Sequence, residues 1–321
     1  PVVLEVPGDL QAAIDGHPLL LQSLVQRGLS DPRAARAFLD PNAYLPTSPQ
    51  ELPGVEQVVQ RLQRALQMGE LIGVWGDFDV DGQTATALLV SALRRLGGRV
   101  LYHIPRRDLE GHGVNVPNLE NLTRQGARLV LTCDTGVTAQ AAAQAALDWG
   151  IDFLVTDHHE LPPNLPPAKA IVNPKFLPPA HPLRCLPGVG VAYKVIEALY
   201  QSLGRQEELV EFLDLVALGI IADVATLHGD TRYLAQLGIE QLRQNARLGL
   251  RLLLENAEVT AADLTEEQIS FVLAPRLNAV GRLADANPLV EFLTTQDESL
   301  ARRQAFEIEG YNEMRKRLTE D

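Results

Sequence analysis

Sulfur is scarce in this sequence. Two cysteines, Cys133 and Cys185, and two methionines occur among 321 residues. Two cysteines are too few for a disulfide framework, and the low count fits a reducing compartment. No run of about 18 apolar residues is present and no signal peptide opens the chain, which excludes a membrane-spanning helix and predicts a cytoplasmic location. Aromatic residues make up only 5% of the chain, and excess acid leaves a net charge of −13. Such a surface repels a polyanion as a whole, so any nucleic acid must be gripped by local basic patches.

What remains is ordinary globular material, 46% hydrophobic and 21% charged. It is enough for two domains or for one large core with an appendage. Proline at position 1, and an end inside a charged helical pattern, read as a piece of a longer protein. Residues 1–53 are punctuated by proline and glycine and read as an arm, with Asp31 capping a helix that opens at Pro32. From 54 to 187 short apolar runs at 71–75, 100–104, 129–132, 153–156 and 170–172 alternate with helical patterns. This predicts an α/β domain, a five-stranded mainly parallel sheet with helices on both faces. Residues 188–296 read as a mostly helical part. Residues 297–321 read as a connector helix whose apolar positions (Leu300, Phe306, Ile308, Tyr311, Met314, Leu318) form a thin stripe.

Chemistry concentrates at the exits of the predicted strands. The run at 71–75 empties into Gly76-Asp77-Phe78-Asp79-Val80-Asp81-Gly82, three carboxylates at alternate positions. Read as a strand tip, this crowds like charges, and each raises the pKa of the others unless cations neutralise them. Hard oxygen donors suit magnesium or manganese. Cys133-Asp134-Thr135-Gly136 and Thr156-Asp157-His158-His159 close two further strands, and Asp223 ends the apolar run from Ala217. Each has a plainer reading alone. The Asp77 segment opens like a calcium loop, but Leu88 stands where that loop needs glutamate. Asp134 and Asp223 could cap helices, and the two histidines could be loop residues. Four such clusters at element ends are hard to attribute to chance.

The four clusters, in this order, resemble the DHH phosphoesterase superfamily, and within it the branch of RecJ-type single-strand-specific exonucleases. That branch is marked by Ile104-Pro-Arg106-Arg107, Glu110-Gly-His112-Gly113, Pro187-Gly-Val-Gly-Val-Ala192 and, most of all, the stretch from Leu273 to Leu283 with Arg276, Asn278 and Arg282. The likeness implies a 5′→3′ exonuclease that releases 5′-mononucleotides from single-stranded DNA in repair and recombination. It implies two divalent cations, Mn2+ or Mg2+, with Asp134 bridging them. Asp79, with Asp77, would complete one ion's set, and Asp81, His158 and Asp223 the other's. His159 would face the scissile phosphate and Asp157 orient the imidazoles, so Asp134, Asp157 and His159 are the catalytic group. Ligation needs neutral imidazole, so activity is expected to fall through the histidine pH range. Arg106, Arg107, His112, Arg276, Asn278 and Arg282 would hold the strand. Single-strand-binding protein and helicases are implied as partners of the full-length protein.

Two departures from the family pattern stand out. His112 occupies the place of a tyrosine, and the family's further C-terminal parts, a DHH-associated domain and an OB-fold, are not found in these residues. Three other readings remain open on the sequence. One is a DHH phosphodiesterase for short oligonucleotides or cyclic dinucleotides. Another is a dehalogenase-like phosphatase using Asp79-x-Asp81-Gly82-x-Thr84 as nucleophile loop. The third is a catalytically silent scaffold. The two basic dipeptide arginines have a plainer reading as well, as solvated surface charge.

Overall fold

The computed structural model of the chain describes residues 4–320, so Pro1 to Val3 and Asp321, the ends of the expected arm and connector, lie outside the described residues. In the arm, α1 (Gly8–Ala13), α2 (Pro18–Gln26) and α3 (Pro32–Leu39) close over a small core of Leu10, Leu21, Leu24 and Ala35. Asp31 caps α3 as its sequence indicates, its carboxylate accepting from Ala34 N at 2.8 Å. The arm is tied to the body where Tyr44 Oη donates to the buried Asp230 at 2.8 Å, and Asp230 also pairs with the buried Lys194 at 3.0 Å.

The body begins with α4 (Val55–Met68), β1 (Leu71–Trp75), α5 (Val80–Arg95), β2 (Arg99–His103), α6 (Val116–Arg124), β3 (Ala127–Cys133), α7 (Gln140–Asp148), β4 (Asp152–Thr156) and β5 (Ala170–Val172). The strands pair in the order β2-β1-β3-β4-β5, and every pair is parallel. A parallel sheet must be covered on both faces, and the side chains show it. Ile72, Val74, Leu129, Leu131 and Leu154 face a core shared with α4 and α5, while Trp75, Val130, Phe153 and Val155 face α6 and α7. Burying each such side chain contributes about 1.5–3 kcal/mol. The chain leaves β1 toward β2 on one side and returns to β3 on the other. That reversal opens a crevice at the strand carboxyl ends between β1 and β3, where ligands bind in sheets of this type.

The remainder is helical: α8 (Gly188–Ser202), α9 (Leu213–Ala222), α10 (Gly229–Asn245) and α11 (Leu248–Asn256). Then α12 (Glu266–Gln268) runs through a π-helical turn, Ile269–Leu273, into α13 (Ala274–Leu283), followed by α14 (Asn287–Thr294) and α15 (Glu298–Glu320). One apolar cluster spans Leu52 to Ile308, so the two halves share a core. The last helix buries Ala301, Ala305, Ile308 and Asn312 and leaves Phe306, Met314 and Leu318 exposed. Of the expected stripe Ile308 is buried and Tyr311 packs partly buried against the core, while the small Ala301 and Ala305 let α15 lie close. No described helix is long and apolar enough to cross a membrane.

Candidate metal centre

The acidic loop after β1 is shaped by helix geometry sooner than its sequence suggests. Helix α5 begins at Val80, so the three aspartates do not alternate along a strand tip. Asp79 is the N-cap, its carboxylate accepting from Gly82 N at 3.0 Å, and Asp81 falls in the first turn. This turns Asp81 inward, where it is 2% exposed. There it accepts from Gly188 N at 2.6 Å and Val189 N at 2.8 Å, the first backbone donors of α8. A helix N-terminus is the place where a buried carboxylate is best tolerated. The Pro187-Gly-Val-Gly segment therefore has a packing reason: a Cβ on Gly188 would stand 2.4 Å from Asp134 Cβ.

Asp134 ends β3 with φ of +60°, an uncommon conformation for a residue other than glycine. Its Oδ1 is buried without a hydrogen-bond partner among the described residues, although His158 Nε2 lies only 3.0 Å away. Neighbouring ligands of an octahedral cation with bonds of about 2.1 Å stand about 3.0 Å apart. An orphaned carboxylate oxygen facing an imidazole nitrogen at that spacing is what a shared cation would leave. Donor atoms of Asp81, His158 and Asp223 lie within 4.8 Å of one another, as do those of Asp134, His158 and His159. The donor set fits the divalent cations that the family resemblance implies.

Charge confirms the crowding. Burial, with Asp79 adding, lifts Asp77 to about 6, and burial and Asp79 lift Asp223 likewise to about 6. Asp81 and Asp134 are pushed well above the usual carboxylate range by burial and then by their acidic neighbours. His158 is pushed down to about 4 by burial and the charge of His159, so it stays neutral and able to ligate across the ordinary histidine range. His159 behaves oppositely. Its Nδ1 lies 2.7 Å from Asp157 Oδ1, and that hydrogen bond raises it to about 9. His159 thus carries its charge beside Asp157, while His158 offers a neutral nitrogen to the cluster. Asp157 is buried and accepts from Val137 N and from the backbone of both histidines, and the hydrogen bond and charge of the His159 ring, with these backbone bonds, outweigh burial and hold it below its ordinary range. Cys133, next to Asp134, is pushed up to about 12 by burial.

The six expected strand-holding residues divide. Arg107 is exposed, its guanidinium 5.3 Å from the ring of Phe78 within the acidic loop. His112 is exposed between Gly111 and Gly113, both at positive φ, and Arg282 is exposed on α13. The others have partners. Arg106 pairs with Asp108 at 2.7 Å. Arg276 is bound to Glu309 on α15 at 2.5 Å and to Val272 O, so its guanidinium is already engaged. Asn278 Oδ1 accepts from Val80 N at 3.3 Å and so braces the acidic loop. Gly281 and Gln83 complete that brace: a Cβ on Gly281 would lie 1.9 Å from Phe78 O, to which Gln83 Nε2 donates at 2.6 Å. Missed in the sequence was Val224, which follows Asp223. It has φ of +56° and is 87% exposed, at the position after a helix where glycine is usual. Val224 N donates to Ile221 O and Ala225 N to Ile220 O, the bonding pattern that closes such helix ends.

Comparison with known proteins agrees with this geometry. Residues 71–220 match the DHH family, N-terminal domain. The chain is 39% identical over 304 residues to the single-stranded-DNA-specific exonuclease RecJ of Bacillus subtilis, covering 94% of this chain and 38% of that one. It is 37% identical over 314 residues to the Thermus thermophilus protein of the same name, covering 97% of this chain and 44% of that protein. A crystal structure of exonuclease RecJ bound to manganese superposes with a TM-score of 0.79 at 35% identity, covering 86% of this chain and 69% of that one. The Thermus thermophilus RecJ complex with Mn2+ superposes at 0.83 and 33% identity over 99% of this chain and 46% of its own. The chain spans 38% to 54% of the length of the first curated relatives it matches. On the sheet, the acid and imidazole cluster and these likenesses together, the chain belongs to the DHH family, in its RecJ branch.

Proposed function

We propose that this chain carries the catalytic centre of a divalent-metal-dependent exonuclease that removes 5′-mononucleotides from single-stranded DNA. The observation that carries the reading is the convergence of Asp81, Asp134, His158 and Asp223 with Asp134 Oδ1 left without a donor. Mn2+ or Mg2+ would be held by these four with Asp79 and Asp77 beside them, and when bound would neutralise the acids and supply Lewis-acid activation of water at phosphorus.

The chain's own groups do the rest. The reaction adds water to the phosphorus of the first internucleotide bond and expels the 3′-oxygen. His159, kept protonated by Asp157, places a positive charge at the rim of the cluster, where the phosphoryl oxygens gain charge. Arg107 and Arg282, exposed and without acidic partners among the described residues, are suited to backbone phosphates. The dehalogenase-like alternative needs a free aspartate nucleophile, whereas Asp79 is engaged at the helix cap and Asp81 on α8. Incubation with Mn2+ and 5′-labelled oligonucleotides tests the reading. Mononucleotide release from single strands and none from duplex is expected. Internal cuts would refute it, and hydrolysis of dinucleotides alone would replace it with a short-oligonucleotide phosphodiesterase.

A further inference from the structure

The segment from residue 104 to residue 115 overhangs the cluster, and it is pinned by one carboxylate that no functional role has claimed. Glu110 Oε1 accepts from Arg106 N at 3.0 Å. Its Oε2 receives His103 Nε2 at 2.9 Å, Asn115 Nδ2 at 3.0 Å and the side-chain amide of Asn118. Four donors thus converge on two oxygens, which only an acceptor without hydrogens can satisfy. Burial opposes ionisation of Glu110, yet these donors hold it below its ordinary range. The surrounding anchors are equally definite. The His103 ring packs at a tilt against the buried Trp75, centroids 4.5 Å apart, and Asn115 caps α6 through Asn118 N at 2.9 Å. At the segment's start the side chain of Asn287 brackets Ile104, accepting from its N–H and donating to its carbonyl, both at 2.8 Å.

What this network leaves free is the tip. Arg107 and His112 are exposed within a segment whose base is fixed at both ends. The tip also lies against the site: Arg107 covers Phe78 between two of the aspartates, and a Cβ on Gly113 would sit 4.0 Å from Thr135 Oγ1, next to Asp134. We propose that Glu110 is a positioning residue for substrate phosphate: it holds Arg107 and His112 over the metal centre without touching the strand. The proposal rests on the exonuclease reading above. Preorganising a guanidinium in this way removes the ordering cost that a mobile loop would bring to each binding event.

The test is a double-mutant cycle on the full chain with Mn2+, scored on a single-stranded oligonucleotide. Glu110→Ala should raise KM by about tenfold, the scale of one charge-assisted contact, while kcat and the Mn2+ midpoint change little. Arg107→Ala should do the same, and adding Glu110→Ala to it should cost much less than it does alone. Glu110→Gln provides a second, better-folded variant. It should also raise KM, because in either amide orientation its NH2 faces donors, Arg106 N on one side or the three side chains on the other. Full additivity of the two losses, an unchanged KM in both Glu110 variants, or a lost Mn2+ midpoint would overturn the proposal. A wild-type chain that neither binds nor cleaves single strands would instead remove the exonuclease reading, and this inference with it.

Discussion

Replacing Asp77 by asparagine should make the metal-free protein more stable. The Asp77 carboxyl is raised from 3.8 to about 6, chiefly by burial. The folded state therefore holds this proton more tightly than the unfolded chain does. Below about pH 4 both states are protonated and the residue costs nothing. Between about pH 4 and about 6 the unfolded chain ionises first, and stability falls as pH rises. Above that window the whole penalty is present. Each tenfold in proton affinity is worth about 1.4 kcal/mol, so a change of about two pH units amounts to about 3 kcal/mol at most. Unfolding entropy near 60 °C is about 2.1 cal/mol/K per residue, which for a chain of this length converts that energy to about 4 °C. Asparagine retains the oxygen that accepts from Phe78 N at 2.7 Å, so no hydrogen bond is sacrificed. Calorimetry with a chelator at pH 7.5 should show Asp77→Asn melting up to about 4 °C above the wild type, and the gap should close toward pH 4. Added Mn2+ should then raise the wild type more than the variant. A lower melting point for the variant at pH 7.5, or a gain indifferent to pH, would refute the reasoning.

Other outcomes follow from the same geometry. Asp134→Asn keeps a side chain that tolerates positive φ, so the fold should survive while Mn2+ binding, read by isothermal titration, and hydrolysis are lost. Val224→Gly should relieve backbone strain and raise the urea unfolding free energy by about 1 kcal/mol; an unchanged or lower midpoint would show the strain is absorbed locally. Gly281→Ala drives a methyl into Phe78 O and should cost about 1–3 kcal/mol by the same urea assay. It should also weaken Mn2+ binding, because the displaced loop carries Asp77 and Asp79; full Mn2+ affinity in this variant would show that α13 does not brace the centre.

Much of this architecture is legible along the chain. β1, β5, α3 and α6 begin and end where apolar runs, prolines and capping residues place them. The four acid and imidazole clusters meet as their positions at strand and helix ends imply. Helix α13 was not legible, because Pro275, Asn278 and Gly281 interrupt its pattern; Pro275 falls in the first turn, Asn278 bonds Val80 N, and Gly281 lets the Phe78 carbonyl approach. The 207–218 stretch reads as one helix but is split, a 3-10 segment Gln206–Phe212 preceding α9. Least readable were pairings across long separations. Nothing local in the sequence tells that Asp81 sits on the N–H groups of Gly188 and Val189, or that Arg276 is taken by Glu309. A residue's type announces that it can bind a phosphate, but only its neighbours decide whether it is free to.

The bond from α8 to Asp81 also fixes an order of events. Neither the strand exits alone nor the later helices alone can offer a finished chelator, since the innermost acid is oriented by backbone from the other half. Packing must therefore come first and cation capture second, the reverse of small domains that metal compels to fold. The donor set is thus shared property of the two halves, and neither could be exchanged without the other.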